Sequence, residues 1–173
     1  NPQRGHMLAA QLVGASRYAG SDTDFLRAYA RAIGFYPLDK QARVILRGEI
    51  GQVWAARAND VPIDWRFRTG GGGSVRGYAY QSLGPREAGA VTGGRVLALA
   101  SAEYQHPVGP PGWRLALFAD AGNASDRRQD WAPRLGLGAG LRWDSPIGPV
   151  GLDIARGQYT KQWQWNLSLG ASF

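Results

Sequence analysis

The run Trp163-Gln164-Trp165-Asn166-Leu167-Ser168-Leu169-Gly170-Ala171-Ser172-Phe173 alternates without a break. Trp163, Trp165, Leu167, Leu169, Ala171 and Phe173 fall on one phase, and Gln164, Asn166, Ser168, Gly170 and Ser172 on the other. A period of two belongs to a β-strand, whose successive side chains point to opposite faces. One face is wholly apolar and the other polar or small. The length matches the roughly 9–11 residues that a tilted strand needs to cross a bilayer.

The same alternation recurs upstream. Leu135, Leu137, Ala139, Leu141 and Trp143 oppose Arg134, Gly136, Gly138, Gly140, Arg142 and Asp144. Trp113, Leu115, Leu117, Ala119 and Ala121 oppose Arg114, Ala116, Phe118, Asp120 and Gly122. Val96–Tyr104, Ala42–Gly51 and Phe25–Ala32 follow the same rule, and Gly5–Tyr18 and Val150–Arg156 are weaker examples. The expectation is eight strands. Tight connections at Tyr36–Lys40, Pro107–Gly112 and Ser145–Pro149 are rich in Pro and Gly. Longer polar ones lie at Ala19–Thr23, Arg57–Gly94 and Asn123–Pro133, with a short one at Gly157–Gln162. Short turns on one side and long loops on the other make the transmembrane barrel arrangement, with the chain ending on the short-turn, periplasmic side.

Composition agrees. The chain has 173 residues and a net charge of +7. Gly is 25 of them, about twice the usual share of roughly 7%. The cations are almost all Arg, with only Lys40 and Lys161 as Lys. The longest stretches free of Asp, Glu, Lys and Arg, Gly5–Ser16 and Gln162–Phe173, are too short for a spanning helix of about 20 residues. Asn1-Pro2-Gln3-Arg4 does not read as a signal peptide, so a removed leader or a fragment is expected.

A soluble sandwich or lipocalin-like barrel is the competing fold. It would need the Ala, Gly and Leu phase as its core, which is thin for closing two sheets. A membrane barrel inverts the polarity: the apolar phase meets lipid, and the Arg, Asp and Glu phase lines a wet interior. Tyr104, Trp113, Trp143 and Trp163 lie near strand ends, where interfacial aromatics belong. A closed eight-stranded barrel holds little beyond its own side chains. Arg27, Arg31, Arg43, Arg47, Arg95, Arg114, Arg134 and Arg142 would overfill it. The eight strands are therefore expected to be part of a wider barrel, completed by a missing N-terminal half or by a second copy.

Arg57–Gly94 is the longest break in the pattern. Its centre reads Phe67-Arg68-Thr69-Gly70-Gly71-Gly72-Gly73-Ser74-Val75-Arg76-Gly77-Tyr78. Gly71–Ser74 belongs to a string that resembles an engineered linker. A Gly-rich loop can also cradle a phosphate, but no Lys-Ser/Thr and no helix follows. A third reading has Gly71, Gly72 and Ser74 fold the loop back sharply and deliver Arg76 to a partner.

The residues around this loop resemble a known family. Phe67, Gly71-Gly72 and Ser74-Val75-Arg76-Gly77-Tyr78 resemble the sixth-loop signature of the bacterial surface antigen family of outer-membrane assembly and secretion barrels, which includes BamA, TamA and two-partner secretion transporters. Ser101-Ala102-Glu103-Tyr104, Leu117–Asn123 and Gly138–Asp153 resemble later segments in the same order. The run Arg76–Pro85 is most similar to TamA-type members. The resemblance implies an all-β, transmembrane antiparallel β-barrel in the bacterial cell outer membrane. Residues 1–173 would be the C-terminal half of sixteen strands, with the extracellular and lumenal loop at about 57–94 and no periplasmic repeat domains in this chain.

It also implies site residues. The loop arginine of the family reaches carboxylates on the following strands, which places Arg76 against Glu103 and Asp120. Both carboxylates lie on the lumen phase. Arg can bond two carboxylates at once and stays charged. Gly77 would let the backbone pass close and Tyr78 would touch the lumen wall. The competing reading has Glu103 and Asp120 merely neutralising Arg114 or Arg95. A terminal Phe173 after alternating Trp163, Trp165, Leu167 and Leu169 resembles the insertion signal of outer-membrane barrels. In the family the same strand forms a weak seam, and Gly170 would loosen its pairing. An unpaired edge is a template for another strand. Phe173 also fits an ordinary interfacial aromatic, and both readings can hold.

No enzyme chemistry is expected. His6 and His106 have no metal-ligand spacing, and neither a Gly-x-Ser-x-Gly elbow nor a Cys is present. Asp22 and Asp24 on a loop are more simply solvated than calcium-bound. No metal and no cofactor are expected. The Arg residues recur on one strand face, which points to a lumen and not to a nucleic-acid patch. The function implied is that of an outer-membrane protein assembly or translocation factor, an insertase-type, TamA-like barrel passing clients through a lateral seam. Its partners would be membrane lipid, client outer-membrane proteins and an inner-membrane or periplasmic partner. A passive anion-preferring pore and a soluble all-β binding module are the alternatives.

Overall fold

The structure, a computed structural model, describes residues 4–38, 42–57, 60–146 and 148–170. Eight long strands form one antiparallel sheet: β1 (Gly5–Ala15), β2 (Phe25–Pro37), β3 (Arg43–Ala55), β6 (Val96–Pro107), β7 (Trp113–Ser125), β8 (Arg134–Ser145), β9 (Gly148–Gly157) and β10 (Trp163–Leu169). Two short strands, β4 (Arg86–Glu87) and β5 (Ala90–Val91), pair as a hairpin inside the long loop. The sheet order is β1-β2-β3-β6-β7-β8-β9-β10, so every long strand neighbours its sequence successor. β1 and β10 are the two edges and do not pair with each other among the described residues. No described helix is long and apolar enough to cross a membrane.

The eight strands fall where alternation places them, with different ends. β3 runs to Ala55 and β7 to Ser125, because Val53 and Ala124 continue the inward phase into a small core. β10 is described only to Leu169, not over eleven residues. Gly170 bends with φ +81°, a conformation that does not continue a strand. Phe173 and Ala171 lie outside the described residues, as do Lys40 and Ile147 of two tight turns.

Register fixes which residues share a face, because directly opposed residues point the same way. One row runs Ala32, Gly48, Ala100, Ala121, Leu135 and belongs to the outer face. The parallel row inside runs Arg47, Ser101, Asp120, Gly136, Gly157. The outer face is exposed and apolar: Ile50 is 64% and Leu117 52% accessible. Such a face is stable only against lipid or another apolar surface. Trp113 and Trp143 stack across β7 and β8 at 5.5 Å near the short-turn end. Trp54 lies near the opposite end, about ten residues along β3 from the level of Tyr104. At ~3.3 Å per residue and ~40° tilt that separates the aromatic levels by about 25 Å, the height of a barrel's apolar band.

The apolar core is small and lies inside. Phe25, Val53, Val61, Phe67, Leu97 and Ala124 pack near the long-loop end. Val75, Tyr78, Leu83 and Leu99 pack where the loop meets the wall. The loop enters as a ladder: Phe67 pairs with Gly94 and Thr69 with Leu83.

Candidate functional site: a loop arginine docked on the inner wall

The loop tip is built from its own backbone. Ser74 donates its N–H to the Gly71 carbonyl at 3.0 Å, and Gly71 donates to the Val75 carbonyl at 3.2 Å. The Ser74 hydroxyl accepts from Gly70 N–H at 2.7 Å, and the Ser74 carbonyl accepts from Arg47 Nη2 at 2.7 Å. Gly71 has φ +95°, with the Tyr80 backbone close beside it. Gly72 faces Asn166 of β10, so the loop tip reaches the inner side of the terminal strand. This is a fold-back held by local bonds, neither a linker nor an anion nest.

Beyond the tip, Arg76 descends onto the inner row. Its guanidinium donates from Nε to Asp120 Oδ2 at 2.7 Å and from Nη2 to Asp120 Oδ1 at 2.9 Å. The Arg76 backbone N–H also donates to Asp120 Oδ2, at 3.0 Å. Nη1 donates to Glu103 Oε2 at 2.6 Å and makes a longer contact of 3.4 Å with Asp153 Oδ2. The guanidinium carbon lies 3.4 Å from the centre of the Phe118 ring. Arg76 is 5% exposed and Asp120 fully buried. Burial alone would lower the Arg76 pKa, but the hydrogen bonds and charge of Asp120 and Glu103 outweigh it, and the net direction is up.

Three residues absent from the sequence expectation complete the site. Arg142 bonds Glu103 Oε2 at 3.0 Å and Asp153 Oδ1, closing a ring of alternating charge with Arg76. Ser101 donates its hydroxyl to Asp120 Oδ1 at 2.6 Å. All three, Arg142, Asp153 and Ser101, lie on the inward phase, which was the available signal. The carboxylates do not simply neutralise Arg114 or Arg95: Arg114 pairs with Asp144 at 2.7 Å.

Glycines shape the floor. A Cβ on Gly136 would collide with the Arg76 carbonyl oxygen, one on Gly138 with Phe118 and one on Gly140 with Asp153. Gly77 has φ +92°, and a Cβ there would lie 2.6 Å from Gly157 N. The missing side chains of β8 and β9 therefore form a trough in which the loop backbone lies against the wall. Tyr78 closes it: its hydroxyl donates to the Leu135 carbonyl at 3.0 Å and accepts from Tyr159 N–H at 3.2 Å.

The structure thus brings together Arg76, Gly77, Tyr78, Glu103 and Asp120. It does not bring Trp163, Trp165, Leu167 and Leu169 to them: these lie on the outer face of β10 and are strongly exposed. Gly170 donates to the Pro149 carbonyl at 2.8 Å at the end of that strand. Among the described residues, no group of His, Cys, Asp or Glu is placed to hold a metal ion.

The comparisons with known proteins agree with this architecture. Outer membrane protein assembly factor BamA of Neisseria meningitidis serogroup B is 38% identical over 119 residues, 62% of this chain and 15% of that protein. BamA of Nitratidesulfovibrio vulgaris is 32% identical over 138 residues, 76% of this chain and 17% of that protein. The chain therefore spans about a sixth of the length of these curated relatives. The crystal structure of BamA from Haemophilus ducreyi lacking POTRA domains 1–3 superposes with a TM-score of 0.76 over 95% of this chain and 38% of that one. At 24% identity that likeness speaks for the fold. The Omp85 superfamily domain matches residues 1–173. With an apolar outer face, a charged inner face and a family match over its full length, the chain belongs to the Omp85 superfamily of outer-membrane β-barrel proteins.

Proposed function

We propose that the chain is the C-terminal half of the barrel of an outer-membrane protein assembly factor, which inserts client proteins without enzymatic chemistry. The docked loop carries the reading. A buried guanidinium bonded to Asp120 and Glu103 fixes the loop across β6 and β7, while β10, the terminal strand, pairs with β9 among the described residues. A firm wall beside a strand that ends the sheet suits a barrel that opens at one seam. Strand addition at that edge would give a client its first backbone hydrogen bonds before it enters lipid. The BamA relatives are named as outer membrane protein assembly factors.

The finer reading is a TamA-type factor, supported by the run Arg76–Pro85. Its partners would be membrane lipid, client outer-membrane proteins, the N-terminal half of the barrel or a second copy, and an inner-membrane or periplasmic partner. The test is insertion of a client barrel into vesicles by the full-length protein. Arg76→Ala and Asp120→Ala are expected to slow insertion; wild-type rates in both would sink the reading. Loss confined to a subset of clients would favour the TamA type over general assembly. A passive anion pore is less well supported, because the loop occupies the lumen with Val75 fully buried. Large steady anion-selective conductance would support it.

A further inference from the structure

A second basic site lies away from the lock, at the long-loop rim. A cleft of about 450 Å³ is bounded by the ends of β3 and β6 and by the loop after β7. Arg95, Arg127 and Arg128 line it, with Asp126 as its single carboxylate. Among the described residues no ion pair joins Asp126 to any of the three. Arg95 enters from the inward phase, opposite Val53, so the cations on the open, loop side of the cleft are Arg127 and Arg128.

Arg127 and Arg128 are exposed, but the loop that carries them is held by its own bonds. The Ser125 hydroxyl donates to the Arg127 carbonyl at 2.9 Å. Trp131 Nε1 donates to the Asn123 carbonyl at 3.0 Å, and Asn123 Nδ2 donates to the Ala132 carbonyl at 2.8 Å. These bonds hold the arginines on an ordered loop. Arg128 Nε donates to Gln52 Oε1 at 3.2 Å. Gln52 and Trp54 alternate with the inward Gly51 and Val53, so they point outward. Arg128 therefore leans over the lipid-facing side of the rim, at the level of Trp54.

We propose that this cleft binds the phosphate of a lipid headgroup in the leaflet on the long-loop side. Guanidinium groups match phosphate oxygens in charge and geometry. Outward Trp54 and Val96 supply the apolar floor for the first segment of the acyl chains. A free anion would gain nothing from that floor, which is why a lipid is the occupant.

The test uses the full-length protein in phosphatidylcholine vesicles containing a minor fraction of phosphatidic acid. Bromine is placed on the acyl chains of one lipid or the other. The readout is the tryptophan quenching lost in Trp54→Phe. Quenching is expected to favour brominated phosphatidic acid, and the preference to fall about fivefold for each of Arg127→Gln and Arg128→Gln. Arg127→Lys keeps the charge and should retain most of the preference. Arg86→Gln, on the loop hairpin outside the cleft, should leave it unchanged. Equal quenching by both lipids in the wild type overturns the proposal. So does an equal loss in Arg86→Gln, which would indicate diffuse attraction to the membrane. Removal of the preference by millimolar inorganic phosphate would assign the cleft to free anions and overturn the lipid assignment.

Discussion

The inner wall at β6 to β9 and the terminal edge at β10 are built from the same alternation and held in opposite ways. On the wall, each strand pairs on both sides and the loop lies across them. Charge is buried there: Asp120 is fully enclosed, and its partner Arg76 arrives from a segment more than forty residues away. At the edge, β10 has seven described residues, pairs with β9 among the described residues, and turns out an apolar face on which Trp163 lies beside Arg156. Leu167 is 68% exposed. The wall depends on long-range ion pairs whose partners cannot be removed singly without leaving a buried charge. The edge depends on backbone hydrogen bonds and on lipid. Local opening should therefore begin at the edge and leave the loop in place.

The largest expected break in this contrast comes from Arg76→Ala. It leaves Asp120 buried without its paired cation, and Glu103 with Arg142 as its cation and Gln105 as a neutral donor. Breaking such a pair costs about 3–5 kcal/mol. The loop should become protease-sensitive in membranes, with cleavage faster by two orders of magnitude or more. Arg76→Lys should fall between, since an ammonium cannot make the forked contact to Asp120. Unchanged cleavage in Arg76→Ala would mean that the apolar contacts of Val75 and Tyr78 hold the loop, and that the ion pairs do not distinguish wall from edge.

Gly136→Ala is expected to act next most strongly. Its methyl group would meet the Arg76 carbonyl, a backbone atom that can move only with the loop. Overpacking of this kind costs roughly 1–3 kcal/mol. The guanidinium and all three carboxylates remain, so the variant separates close backbone approach from charge. Wild-type protease resistance in Gly136→Ala would show that the trough is not needed. Ser101→Ala should cost less, about 1 kcal/mol, because it removes one hydrogen bond to Asp120 and leaves the arginine in place.

The wall and the edge were also unequally legible in the sequence. Period-two alternation places all eight long strands, since a strand with one lipid face repeats its pattern in every crossing. The inward phase holds the strand members of the cluster: Ser101, Glu103, Asp120, Arg142 and Asp153. Alternation says which face a residue occupies, not which rows align across strands. Asp153 and Arg142 join the ring only because register sets Gly140 opposite Asp153. The pairing of Arg76 with Glu103 and Asp120 came from the family resemblance, because a loop carries no period. The β8 glycines likewise read as small lumenal residues; their use as a trough depends on a contact with residues about sixty positions upstream. At the edge, Gly170 has a φ of +81° but still donates to the Pro149 carbonyl of β9 at 2.8 Å, so the loosened pairing expected of this glycine is not seen in the ladder itself.

The smallest expected effect tests the edge itself. Gly170→Ala places a side chain in the left-handed region, which costs about 1 kcal/mol through the backbone. An added Cβ would meet nothing within 4 Å, so no packing term is added. The strain should be relieved by losing the Gly170 N–H bond to the Pro149 carbonyl. Hydrogen exchange should then rise at Gly170's neighbours in β10, while the amides of β7 and the protease resistance of the loop stay as in the wild type. Exposure of the loop in Gly170→Ala would mean that β10 and the wall open as one unit. In that case the contact between Gly72 and Asn166 would be a coupling between lock and seam, and the two regions would not be independent.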